Sequence, residues 1–135
     1  MEPYDDPSLA DSCGLIRHIH PIFIIDDSQS PTGKRLSSMA FKSSSTPYWG
    51  MSVDIECLML ADGVNPKKRV PAGSGAVRLN TGEVRGLGLL VGKNPTQTNK
   101  YHGEVWWKNK NFPKNIKKTL RDLGVKDILV RIEGL

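Results

Sequence analysis

One stretch limits the fold more than any other. Residues 113–124, "PKNIKKTLRDLG", carry Ile116, Leu120 and Leu123 at steps of four and three. That spacing puts all three on one side of a helix. Pro113 suits its first turn, where a missing N–H costs nothing, and Gly124 suits its end. A helix with one apolar stripe must lay that stripe against something else, and the rest of the chain reads largely as strands. "CGLIRHIHPIFIIDD" is rich in β-branched and apolar residues and is interrupted by Pro21, which cannot donate a ladder hydrogen bond. "LSSMAF" reads as a short strand, "YHGEVWW" alternates as a strand should, and "DILVRI" closes the chain as another. "AVRLNTGEVRGLGLLVG" reads as two strands around the turn "NTG". "MSVDIECLMLADG" predicts a second helix, with Ser52 as its cap, Asp54 and Glu56 near its positive end and Gly63 ending it. The expected fold is therefore α+β, with a mostly antiparallel sheet and two helices in a single compact domain.

A chain of 135 residues is long enough to bury such a core without a disulfide or metal staple. Residues 13–135 are expected to form the domain. Residues 1–12 hold two prolines and four acids and read as a flexible acidic leader. Cys13 and Cys57 lie far apart in sequence and in no CxxC pair, so they read as free, mostly buried thiols and not as zinc ligands. No apolar run approaches the roughly 20 residues needed to cross a bilayer. No membrane partner is expected, and the expected location is cytoplasmic.

Charge is unevenly placed. Residues 1–30 hold six acids against Arg17 alone, whereas residues 100–131 hold nine cations against three acids. Lys114, Lys117, Lys118 and Arg121 share the polar face of the 113–124 helix, and Lys108 and Lys110 precede it. Such a cluster suits a phosphate backbone, where release of counterions supplies much of the affinity. Trp106 and Trp107 point to opposite sides of a strand. One belongs to the core, and Trp107 is the candidate to stack on a base. The partner read from this pole is a nucleic acid or nucleotide, with a protein partner as the other possibility.

Three histidines are available. "HIH" at 18–20 would put two imidazoles on one side of a strand, an arrangement that relaxases and rolling-circle nucleases use for a divalent metal; Pro21 and the want of a third ligand argue against it here. His102 and Glu104 alternate on a strand and so share a side. Histidine can move a proton near neutrality and glutamate can orient it. With Arg17 to hold a phosphate and Ser38 assisting, this set would suffice for metal-independent cleavage of RNA. No metal or other cofactor is called for. "VGKNPT" and "PAGSG" bear glycines, but neither has the spacing of a phosphate-binding P-loop.

Two resemblances bear on these residues. The chain order Arg17, Ser38, Glu104 loosely resembles the arginine–serine–glutamate class of ADP-ribosyltransferases. That likeness implies that the arginine holds dinucleotide phosphates and the glutamate stabilises a ribose oxocarbenium. The runs "RHIHP", "RLSSMAFK", "MSVD" and "YHGEV" resemble a widespread set of small bacterial proteins of undefined function. Its pattern is R-x-x-x-P, then S-S-x-A-F, then [LM]-S-V, then a late histidine. The match covers about residues 14–105 and implicates Arg17, Ser37, Ser38, Phe41, Ser52 and His102. The functional expectation is a small basic domain that binds or acts on phosphate-rich material. The alternatives are an NAD-using transferase and a non-catalytic subunit of a bacterial multiprotein system.

Overall fold

A computed structural model describes residues 2–135. The chain forms strands β1 (Gly14–Ile19), β2 (Ile24–Asp26), β3 (Lys34–Leu36) and β4 (Met51–Ile55), then helix α1 (Glu56–Ala61). Strand β5 (Gly75–Asn80), helix α2 (Thr81–Gly86), strands β6 (Leu90–Lys93) and β7 (His102–Trp106), helix α3 (Lys114–Gly124) and strand β8 (Ile128–Val130) complete it. Six strands make one sheet in the order β6-β7-β4-β1-β5-β8, and β2 pairs with β3 in a separate hairpin. Every neighbouring pair is antiparallel. The α+β architecture read from the sequence is the one found.

Alternation gives the sheet two unlike sides. Leu15, Ile19, Met51, Val53, Ile55, Val77, Leu79, Val91 and Val105 are all buried on one of them, which is the main core. Helix α3 covers that side through Ile116 and Leu120, together with Ala40 and Phe41 from the short 3-10 turn at Ser38–Phe41. The approach is closest at Gly124, where a β-carbon would lie 3.0 Å from Val77 and 3.1 Å from Phe41. The other side carries Ile16, His18, Ser52, Asp54, Arg78, His102, Glu104 and Trp106, because Ile16 pairs with Asp54 and Arg78, and Asp54 with His102.

Several expectations are corrected. Residues 51–55 are a strand and only 56–61 a helix, because the alternation of Met51, Val53 and Ile55 buries all three in the sheet. The "NTG" segment starts a third helix, α2, and not a hairpin turn: Asn80 accepts a hydrogen bond from the Glu83 N–H and caps it. "SMAF" is a 3-10 turn capped by Ser37, and the strand before it is Lys34–Leu36. The acidic leader is held down. Met1 lies outside the described residues, but the Asp6 N–H donates to Val91 O, the Val91 N–H donates to Asp5 Oδ1, and Tyr4 Oη donates to Lys93 O. Leu9 is 1% exposed and belongs to the core. Arg85 draws in the acids, meeting Asp5 at 3.1 Å and Asp11 at 2.8 Å, and also donates to the carbonyls of Asp6 and Leu9. The leader thereby covers edge strand β6, whose backbone would otherwise be unpaired. Among the described residues no helix is long and apolar enough to cross a membrane.

Cys13 and Cys57 are joined by a disulfide, not free. The cause is register. Leu15 pairs with Ile55, so the residues flanking that rung, one just before β1 and one early in α1, come to a Cα–Cα distance of 5.4 Å. The bond spans a sequence separation of 44. Closing a loop of that length in the unfolded chain is worth about 4 kcal/mol on the chain-entropy account. A Cys13→Ser/Cys57→Ser double variant should therefore lose about 2–4 kcal/mol in urea unfolding, and an unchanged midpoint and slope would show that the bond does not fasten the fold.

Candidate anion-binding cleft between strands β1 and β4

Strand β1 pairs with β5 along its whole length, but with β4 over only two residues, Leu15–Ile55 and Ile16–Asp54. Beyond Ile16 the two strands part. Arg17 bridges the opening: its Nε donates to Ala40 O at 3.0 Å and its Nη1 to Ser52 O at 2.9 Å. Its Nη2 has no hydrogen-bond partner among the described residues. Both partners are carbonyls, and no carboxylate offsets the charge. Burial therefore lowers the guanidinium pKa to about 10, which still leaves it protonated at neutral pH. A cation removed from water and met only by dipoles remains a strong anion attractor, since desolvation costs several kcal/mol that carbonyls repay in part.

Above Arg17 the opening is a cavity of about 210 Å³, with His18, Asp54, Arg69, Asn99 and His102 around it. Asp54 organises one wall. Its Oδ1 accepts from Asn99 Nδ2 at 2.8 Å, and its Oδ2 lies 3.4 Å from His18 Nε2 and 3.6 Å from Arg69 Nε. Burial pushes the Asp54 carboxyl up, but the His18 and Asn99 donors and the Arg69 charge outweigh this and hold it below the usual carboxylate range. His18 Nε2, Asp54 Oδ2 and Arg69 Nε are nonetheless buried without a well-formed hydrogen bond. Three polar atoms with unused capacity thus meet at one cavity wall. Arg69 is braced from behind, with its guanidinium carbon 5.5 Å from the centre of the Tyr101 ring.

His102 forms the facing wall, directly opposite Asp54 in the β4–β7 register. Its Nδ1 lies 2.7 Å from the backbone oxygen of Asn94. A carbonyl oxygen can only accept, so Nδ1 carries the hydrogen, and in the neutral ring Nε2 keeps a free lone pair. Asn94 Nδ2 in turn donates to Glu104 Oε2 at 2.8 Å. Glu104 therefore acts on the imidazole through Asn94 and not by contact.

Of the residues singled out in the sequence, the cleft brings together Arg17, His18, Ser52 and His102. Glu104 is buried beside Asn94 and does not line it. Ser38 lies in the 3-10 turn whose Ala40 oxygen holds Arg17, and it too stays outside. Ser52 contributes its backbone oxygen to Arg17, while its hydroxyl pairs with that of Ser45 at 3.1 Å. The two histidines of "HIH" part company: His18 faces Asp54, whereas His20 lies past the end of β1 and its Nδ1 accepts from the Ile22 N–H.

The basic cluster is elsewhere. Since α3 packs on the core side of the sheet, Lys114, Lys117, Lys118 and Arg121 sit across the sheet from His18, Asp54 and His102. Among the described residues, Lys108, Lys110, Lys114, Lys117 and Lys118 meet no carboxylate, and Arg121 pairs with Asp122 at 3.0 Å. The leader's acids serve Arg85 and Lys93, so the α3 face keeps its outward positive charge. Trp106 is buried under Tyr4, with ring centres 5.9 Å apart, and Trp107 is half-buried at the core's edge.

Asp54, Arg69 and Asn99 were not legible as site residues, because they come from segments read as a helix start and as two loops. No protein family, curated protein or solved structure matches the chain. Asp54 is the counter-charge of the cleft, so Asp54→Asn should destabilise the fold by about 2–3 kcal/mol, the scale of losing charged hydrogen bonds. A carboxyl held low in the folded state adds stability above its unfolded pKa and loses it as pH falls through the lower folded value. The acid limb of a stability–pH profile should therefore flatten in Asp54→Asn, and an unaltered limb would refute this role.

Proposed function

We propose that the β1–β4 cleft binds the phosphate of a phosphorylated ribose, and that the chain cleaves RNA without a metal. The observation that carries this reading is the Arg17 guanidinium, unpaired with any acid, lying beneath a histidine whose Nε2 is unoccupied. The step balances with these groups alone. His102 Nε2 takes the proton of the ribose 2′-hydroxyl, and the oxygen attacks the adjacent phosphorus. The bond from phosphorus to the 5′-oxygen breaks, and His18, starting as an imidazolium beside the Asp54 carboxylate, gives its proton to that oxygen. The products are a 2′,3′-cyclic phosphate and a free 5′-hydroxyl. Arg17 and Arg69 neutralise charge gathering on the phosphoryl oxygens, a role expected of fixed cations in a dry site.

Size favours this reading over the NAD-using one. A cavity of about 210 Å³ falls below the roughly 300–1,000 Å³ of pockets that enclose drug-sized ligands. That space suits a phosphate with its sugar better than a whole dinucleotide. The α3 cations do not line the cleft, and they serve to hold more distant backbone of a longer strand.

Two variants separate these roles. His102→Ala should cut cleavage of a dinucleotide such as UpA by about 10²–10⁴-fold, with the fold retained by circular dichroism and no response to EDTA. Lys114→Ala/Lys117→Ala/Lys118→Ala should leave dinucleotide cleavage unchanged. It should lower the salt slope for binding single-stranded RNA by about two, at roughly 0.7 for each phosphate no longer neutralised. Activity that EDTA abolishes, or that survives in His102→Ala, would overturn the mechanism.

A further inference from the structure

A groove of about 640 Å³, larger than the cleft, lies between β3 and the C-terminal half of α3. Its apolar lining is Leu36, Val125, Ile128 and Leu135. Val125 is 40% exposed and Ile128 42%, which is unusual for large apolar side chains that sit side by side. Every one of the four is aliphatic. No aromatic ring lines the groove, so nothing there offers the stacking platform a nucleobase requires.

The rim is cationic. Lys34 and Arg35 stand on the hairpin, and Lys118 and Arg121 on α3, against one acid, Asp122. Lys118 meets no carboxylate among the described residues. Lys34, Arg35 and Arg121 pair with Asp26, Asp27 and Asp122. These pairs are solvent-exposed to differing degrees, and exposed pairs are weak, so a ligand anion can compete for their cations. An aliphatic floor under a positive rim is complementary to one chemical type.

We propose that this groove binds a free single-chain amphiphile with an anionic head. An alkyl tail of about ten carbons would cover Val125 and Ile128, removing apolar surface from water along its length. The head, a carboxylate or a phosphate monoester, would lie among Lys34, Arg35, Lys118 and Arg121. The groove volume lies within the range of small-molecule pockets. The groove lies between the β2–β3 hairpin and α3 and shares no lining residue with the Arg17–His102 cleft, so the proposal stands or falls independently of RNA cleavage.

Calorimetric titration of the full chain tests it, with each amphiphile kept below its critical micelle concentration. Decyl phosphate and decanoate should both bind one to one, with Kd on the order of ten micromolar. Inorganic phosphate, decyl maltoside and vesicles of anionic phospholipid should bind at least tenfold more weakly. Val125→Asp, at an exposed position just past α3, should weaken both anionic amphiphiles at least tenfold. Lys118→Glu should weaken them while leaving decyl maltoside unaffected. Equal binding of the neutral and anionic decyl compounds, a stronger response to vesicles than to free amphiphile, or indifference to both substitutions would overturn the proposal.

Discussion

The structure depends on how one guanidinium fills an opening in a sheet. Strands β1 and β4 are central, yet they share two rungs before they part. Without Arg17 the Ser52 and Ala40 oxygens would face the core unpaired, and unpaired buried carbonyls are costly. With Arg17 the opening closes from the core side and stays open on the other. The same side chain thus completes the fold and leaves a charge at the floor of a cavity. A hydrophobic residue there could fill space but could not donate to two carbonyls, and a lysine lacks the planar fork that reaches both.

The rest of the site follows from strand register. Pairing of Ile16 with Asp54, and of Asp54 with His102, sets the carboxylate between two histidines on neighbouring strands. The disulfide fastens the same end of β1 and α1 where the ladder has its two rungs. It therefore limits how far the strands can part. The division of labour between sheet sides is equally direct. One side is consumed by α3 and the core, and its outer surface carries positive charge. The other keeps polar side chains together because the register sets them side by side on neighbouring strands.

Much of the fold was legible. β1, β7, β8 and α3 announce themselves through alternation or a helical stripe, with Pro21, Pro113 and Gly124 as punctuation. The failures came where a local signal has two meanings. Ser52 and Asp54 look like a helix start, but the alternating Met51, Val53 and Ile55 decide for strand. Asn80 in "NTG" serves a hairpin turn as readily as a helix cap. The leader's acids look solvated until Arg85, some eighty residues away, is known to sit beneath them. Within the cleft, Arg17 and His102 stood out as titratable groups on strands. Asp54, Arg69 and Asn99 did not, since only the folded register collects residues so widely spaced. The Cys13–Cys57 pairing was hidden for the same reason.

The central claim is that Arg17 and His102 together receive a phosphate. The most direct measurement is an NMR titration with uridine 3′-phosphate, following the Arg17 side-chain Nε–H and the His102 ring nitrogens. Saturable one-to-one shifts at both groups, with the lysines of α3 little affected, are what the geometry requires. Shifts confined to α3, or an Arg17 signal that never moves, would contradict it.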